Sequence, residues 1–124
     1  MEQKQSKVLG HLTEVTAEFF TARLASPPED LSSEKLIGMD KVRVGQIGSY
    51  LMVKQSDINI LCMVESLWVD TTDKGEEMYM IRLTPLGEFN QSREFDRGIQ
   101  HYPTTGAELY LVSNWNLERV FSDY

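Results

Sequence analysis

Phe95-Asp96-Arg97-Gly98-Ile99-Gln100-His101-Tyr102-Pro103-Thr104-Thr105-Gly106 reads as neither strand nor helix. Gly98, Pro103 and Gly106 punctuate it too often for a strand, and a proline with flanking glycines breaks any helix. Most loops are built of Ser, Asn and Lys, but this one keeps Phe95, Tyr102 and Arg97. Gly98 and Gly106 free the backbone for a positive φ or for close approach of another segment. Pro103 fixes its own φ and restrains Tyr102 toward an extended conformation. A loop so built is rigid, and it either packs beneath the chain's own strands or meets a partner.

Outward from this loop, the sequence alternates in short strands. Upstream, residues 78–86 form a fifth strand that is apolar on both faces, Met78 and Met80 against Tyr79, Ile81 and Leu83. Residues 70–77 before it are a polar hairpin loop with Gly75 as the positive-φ position. The fourth strand, 58–69, sets Ile60, Cys62 and Val64 against Leu61, Met63 and Leu67. A strand apolar on both faces is buried on both, or one face is covered by a neighbouring subunit. The third strand, 49–54, puts Tyr50 and Met52 on one face and Leu51 and Val53 on the other, with a turn at 55–57. Residues 19–24 form the second strand, with Phe20, Ala22 and Leu24 on one side. A short turn at Ala17-Glu18 leads back to a first strand over 8–15. Downstream of the loop, 107–113 is the sixth strand, and 114–124 a short helical turn capped by Asn114. Residues 1–6 are a polar tail. The Pro27-Pro28 excursion over 26–39 is the longest loop, and Ser32 or Ser33 would cap a helical turn over 31–36.

Six short strands with glycine turns and almost no helix make the fold all-β. A closed barrel over residues 7–113 removes the exposed edges that six strands would otherwise present. Periodicity alone also allows a sandwich.

Three segments carry a family resemblance. Gly45-Gln46-Ile47-Gly48-Ser49-Tyr50 near the third strand, Pro85-Leu86-Gly87-Glu88 in the fifth, and the 95–106 loop follow one another in a set order. Together they resemble the HAS-barrel, the N-terminal β-barrel of HerA-type hexameric ATPases, over about residues 7–121. The resemblance implies a six-stranded barrel like the N-terminal domain of rotary ATP synthase subunits. Gly45, Gly48, Gly87, Gly98 and Gly106 are then the turn residues of the pattern. The implied protein is a DNA translocase whose P-loop motor would begin about where residue 124 stands. The barrel's implied task is to stabilise the hexamer and to dock an effector, such as a NurA-type nuclease or an anti-phage defence enzyme. Double-stranded DNA would be met only through the motor ring, and ATP with Mg²⁺ would belong to the motor as well.

Composition bounds the alternatives. The chain has 124 residues, 41% hydrophobic and 25% charged, as expected of one globular domain. No apolar run is long enough for a transmembrane helix, and no apolar segment follows the polar N-terminus as in a secretory signal. Cys62 has no partner for an internal disulfide and reads as a buried small hydrophobe, so a cytoplasmic protein is expected. With 12 basic and 19 acidic residues the net charge is −7, a poor footprint for wrapping nucleic acid. Lys35, Lys41 and Arg43 form the one modest basic run and read as a solvated surface.

Catalytic signals are sparse. No glycine is followed by lysine and then Ser or Thr, so there is no phosphate loop, and no G-x-G-x-x-G occurs. His11, His101 and Cys62 lack metal-ligand spacing, so no zinc site is expected. Glu76-Glu77 and Glu29-Asp30 are adjacent loop carboxylates that seldom converge on one substrate, and Ser49 and Ser113 have no evident base. His101 is either a pH-sensitive contact or a surface residue without proton chemistry.

The expected function is therefore non-catalytic: a binding surface. Trp68, Trp115, Tyr102, Tyr110 and Arg97 are interface residue types. Trp68 and Tyr110 are read here as barrel core. The candidate subunit or effector interface is Phe95, Arg97, Ile99, Tyr102 and Pro103. Arg97 either pairs across a subunit boundary or pins its own loop. Two other readings stay open, a single-stranded nucleic-acid-binding barrel of the OB type, with aromatic stacking in a basic groove, and a free-standing adaptor.

Overall fold

Alternation of apolar residues closes a ring. The computed structural model describes residues 8–27, 48–89 and 94–112. Among them are β1 (Gly10–Val15), β2 (Phe20–Leu24), β3 (Tyr50–Gln55), β4 (Ile58–Thr71), β5 (Glu77–Phe89), β6 (Phe95–Asp96) and β7 (Glu108–Leu111). The hydrogen-bonded order is β2-β1-β7-β3-β4-β5-β6, and β2 also pairs with β5. That last pairing, Phe20 opposite Leu83 through Arg23 opposite Met80, closes six antiparallel strands into a barrel, with β6 as an extra strand on β5. Closure satisfies both edges of the sheet, which decides between the barrel and the sandwich that periodicity had left open.

The interior is lined by the expected side chains. Phe20, Ala22 and Leu24 from β2, Leu51 and Val53 from β3, and Ile60, Cys62 and Val64 from β4 form one buried cluster with Leu9, Leu12, Ile81, Leu83, Ala107 and Leu109. Cys62 is fully buried, and burial pushes its thiol well above the ordinary range. The outward faces of β3, β4 and β5 form a second cluster. Met52, Leu61 and Phe89 are buried there, with Tyr50, Leu86, Phe95, Tyr110 and Val112 packed against them. The outer faces of Leu61 on β4 and of Leu86 and Phe89 on β5 are thus packed within the chain, while Met63, Met78 and Met80 belong to neither cluster.

Some sequence expectations change. Phe95 and Asp96, placed in a loop, form β6, pairing with Phe89 and Glu88. Leu67 joins the interior cluster rather than the outer face, because a register shift between Val64 and Ser66 reverses the alternation of β4. Trp68 and Tyr110 are not core: both are half-buried, Tyr110 against the outer cluster and Trp68 in neither cluster. β5 runs on through Pro85 and Gly87 to Phe89, past the expected end at Leu86. A second shift, with Leu61 opposite Gly87 and Cys62 opposite Pro85, leaves Leu86 as the extra residue, and a bulge is where a strand tolerates proline. Gly75 takes the expected positive φ in the β4–β5 hairpin, and Gly48, read as a turn residue before β3, has a positive φ too. The helical turns expected at 31–36 and 114–124, together with Gly45, Trp115 and Ser113, lie outside the described residues.

Candidate functional site

The 97–106 loop closes one end of the barrel. β5 ends there, and the β3–β4 turn at Ser56-Asp57 stands beside it, because Gln55 pairs with Ile58 and Asn59 with Phe89. Ile99 packs against the interior cluster, and Pro103 is buried. Phe95 lies over the outer cluster with its ring 5.1 Å from that of Phe89. Arg97 and Tyr102 face outward, Tyr102 with 46% of its surface exposed. Of the five candidate interface residues, then, Phe95, Ile99 and Pro103 hold the loop to the barrel, and Arg97 and Tyr102 stand on its outside.

Three polar connections fix this cap. The first is Glu88, a carboxylate only 7% exposed. It sits opposite Ile60, whose side chain points inward, so Glu88 also faces the interior side at the barrel end. Its Oε1 accepts the backbone N–H groups of Gln100 at 3.0 Å and His101 at 3.2 Å. Its Oε2 lies 3.1 Å from Nδ1 of His101. An ionised carboxylate only accepts, so this contact assigns the ring proton to Nδ1. The second connection is Gln55, whose Nε2 donates to Thr104 Oγ1 at 2.6 Å while its Oε1 accepts from Thr104 N at 3.0 Å. The third is backbone: Gly106 N donates to the Leu12 carbonyl at 2.7 Å, and Leu12 N to the Ala107 carbonyl at 2.9 Å. Gly106 reaches this geometry at a φ of +93°, which a side chain resists.

Gln55→Ala removes both contacts to Thr104 at an exposed position. The expected loss is about 1 kcal/mol of stability, read as a lower urea midpoint with an unchanged slope.

Gly98 stands in a turn without a positive φ, and Gly87 does not play the turn role the sequence assigned it. Gly98 is exposed with an ordinary φ, and its N–H donates to Asp96 Oδ1 at 3.2 Å, an Asx-type turn that Asp96 directs. Gly87 lies inside β5. A Cβ there would overlap the Asp96 carbonyl oxygen and the Phe95 ring, so glycine is what lets β6 approach.

Residues read for chemistry lie apart. His11 is exposed on β1, opposite Arg23, while His101 stands at the cap. Glu76 and Glu77 are exposed at the β4–β5 hairpin, where Glu77 accepts the Tyr79 hydroxyl at 2.7 Å. Ser49 lies between Gly48 and β3. Among the described residues no three His, Cys, Asp or Glu side chains converge, and no helix is long and apolar enough to cross a membrane. On the outer wall Lys54 sits 4.9 Å from the centre of the Tyr110 ring. The Tyr110 phenol is pushed above its ordinary value, first by its hydrogen bond to Glu108, then by burial and by the Glu108 charge.

Sequence reasoning missed Glu88 as the organising residue of the cap. It stood in Pro85-Leu86-Gly87-Glu88, read for its glycine. A carboxylate continuing an apolar strand was the available signal. The chain matches no protein-family model, and no curated protein matches it.

Proposed function

We propose that this chain is a non-catalytic assembly and docking barrel, the N-terminal module of a HerA-like hexameric ATPase. The observation that carries the reading is the meeting of its three motif segments. Tyr50, Leu86 and Phe95, one from each segment, pack around the same outer cluster. Glu88 of the second segment binds the backbone of the third. That contact between the three segments supports reading them as one pattern. In this reading the cap is the working surface. Arg97 offers a guanidinium fork and Tyr102 a large ring at low entropic cost, both on a loop already ordered before binding. The partner is a neighbouring barrel or a docked nuclease or defence enzyme. ATP, Mg²⁺ and DNA belong to the motor, and the protein acts in the cytoplasm.

Light scattering over a concentration series tests the assembly role. A hexameric mass is expected, with Arg97→Ala and Tyr102→Ala together shifting the chain toward monomer while its melting temperature stays within a few degrees. Each side chain is exposed, so the pair costs little stability. A wild-type chain that is monomeric throughout, or a double variant that assembles as before, overturns the assignment of assembly to this surface.

A further inference from the structure

A second surface lies on the wall where β2, β5 and β4 run side by side. Arg82 on β5 is in register with Thr21 of β2 on one flank and Ser66 of β4 on the other. Its neighbours Ile81 and Leu83 point into the barrel, so Arg82 points out. Phe19 and Trp68 hold the guanidinium: its carbon is 4.3 Å from the centre of the Phe19 ring and 5.8 Å from that of Trp68. Its Nε is buried with no hydrogen-bond partner. Among the described residues the guanidinium has no carboxylate within ion-pair distance. Carboxylates on the adjoining strands are engaged elsewhere. Glu14 accepts the Thr21 hydroxyl at 3.3 Å, Glu65 the Thr84 hydroxyl at 3.0 Å, and Asp70 the Trp68 indole N–H at 3.2 Å.

A guanidinium held by ring contacts keeps its planar fork oriented before any anion arrives. Half-buried Trp and Phe around an Arg are the composition of an interface centre. We propose that this wall is a docking site for a protein segment presenting one carboxylate among apolar side chains, the carboxylate engaging Arg82 and the apolar residues lying on Phe19 and Trp68. Charge selects this class. Glu14, Glu65 and Asp70 are hydrogen-bonded to Thr21, Thr84 and Trp68 beside Arg82, so a nucleic-acid strand with a phosphate at every step would meet them as well as Arg82. A single carboxylate flanked by apolar residues brings one negative charge into that field, where a nucleic-acid strand brings one at every step. The surface shares no residue with Arg97 and Tyr102, so it stands whether or not the cap mediates assembly.

The test presents a random dodecapeptide library to the immobilised full chain. Enriched peptides are then titrated against wild type and Arg82→Lys. The expected peptides share one Asp or Glu beside aliphatic or aromatic residues. Changing that acid to its amide, or Arg82 to Lys, weakens binding about tenfold or more. The amide change reads the contact without altering the protein, so a folding defect in the variant does not obscure the result. Overturning results are an absence of enrichment, enriched peptides without an acid, or equal affinity for the amide peptide. A single-stranded oligonucleotide that binds wild type and is lost with Arg82→Lys would assign the cation to phosphate and overturn the protein partner.

Discussion

Gly87→Ala is expected to destabilise the chain by about 3 kcal/mol, because one methyl group would fall on two parts of β6 at once. The Cβ would overlap the backbone carbonyl oxygen of Asp96, which cannot rotate away, and the Phe95 ring. Relief requires β6 to leave β5. That breaks the pairing of Glu88 with Asp96 and Phe89 with Phe95. It also lifts the Phe95 ring from Phe89 and exposes part of the outer cluster around Leu61 and Met52. Overpacking alone costs about 1–3 kcal/mol, and losing part of the Phe95 burial adds to it. The barrel ring does not pass through β6, so the variant should remain folded, with a lower urea midpoint and faster proteolysis near Arg97. Wild-type stability in Gly87→Ala would mean that β6 does not lie against β5 in solution.

The barrel was legible in the sequence because its inward residues keep a period of two. Phe20, Ala22 and Leu24, Leu51 and Val53, and Ile60, Cys62 and Val64 can each be followed along a strand, and each set lines the interior. What escaped depends on where that period slips. The shift between Val64 and Ser66 turns Leu67 inward and puts Trp68 on the outer wall with Arg82, which no single-strand pattern reveals. The shift around Leu86 does the same at the other end, placing Gly87 on the outer face and Glu88 on the inner one. β6 escaped because a two-residue strand has no period. Its presence follows from a glycine on a different strand. The candidate interface was read in the sequence as a rigid, aromatic-bearing loop, and its first two residues form β6 instead. Its division into anchors (Phe95, Ile99, Pro103) and outward groups (Arg97, Tyr102) was not, since that is set by contacts with β5 and the barrel interior.

Glu88→Ala is expected to cost about 2–3 kcal/mol and to release the cap while leaving the barrel wall intact. The side chain is buried, and the cost arises chiefly from the polar groups it leaves behind. The N–H groups of Gln100 and His101 both donate to its Oε1, and the His101 ring faces its Oε2. Hydrogen bonds to a charged acceptor contribute about 1.5–3 kcal/mol. Water reaches Gln100 and His101 once the cap loosens, and that keeps the loss below the sum of three such bonds. Glu88→Gln separates the roles. Its amide oxygen still accepts both backbone N–H groups, and its –NH₂ then faces Nδ1 of His101, where the other ring tautomer accepts it. The glutamine variant should therefore lie within about 1 kcal/mol of wild type. Amide hydrogen exchange is the discriminating measurement. In Glu88→Ala the Gln100 and His101 amides should lose protection, while those of the β2–β5 pairing, Phe20 to Arg23, should keep it if the barrel opens only globally. Protection that persists at Gln100 and His101 would show that Gln55 and the Gly106–Leu12 bond suffice to hold the loop. A cap released by Glu88→Ala would place Arg97 and Tyr102 on a mobile segment. Under the assembly reading, that variant should then weaken association as much as removing the two side chains, by raising the entropic cost of ordering the loop rather than by deleting a contact.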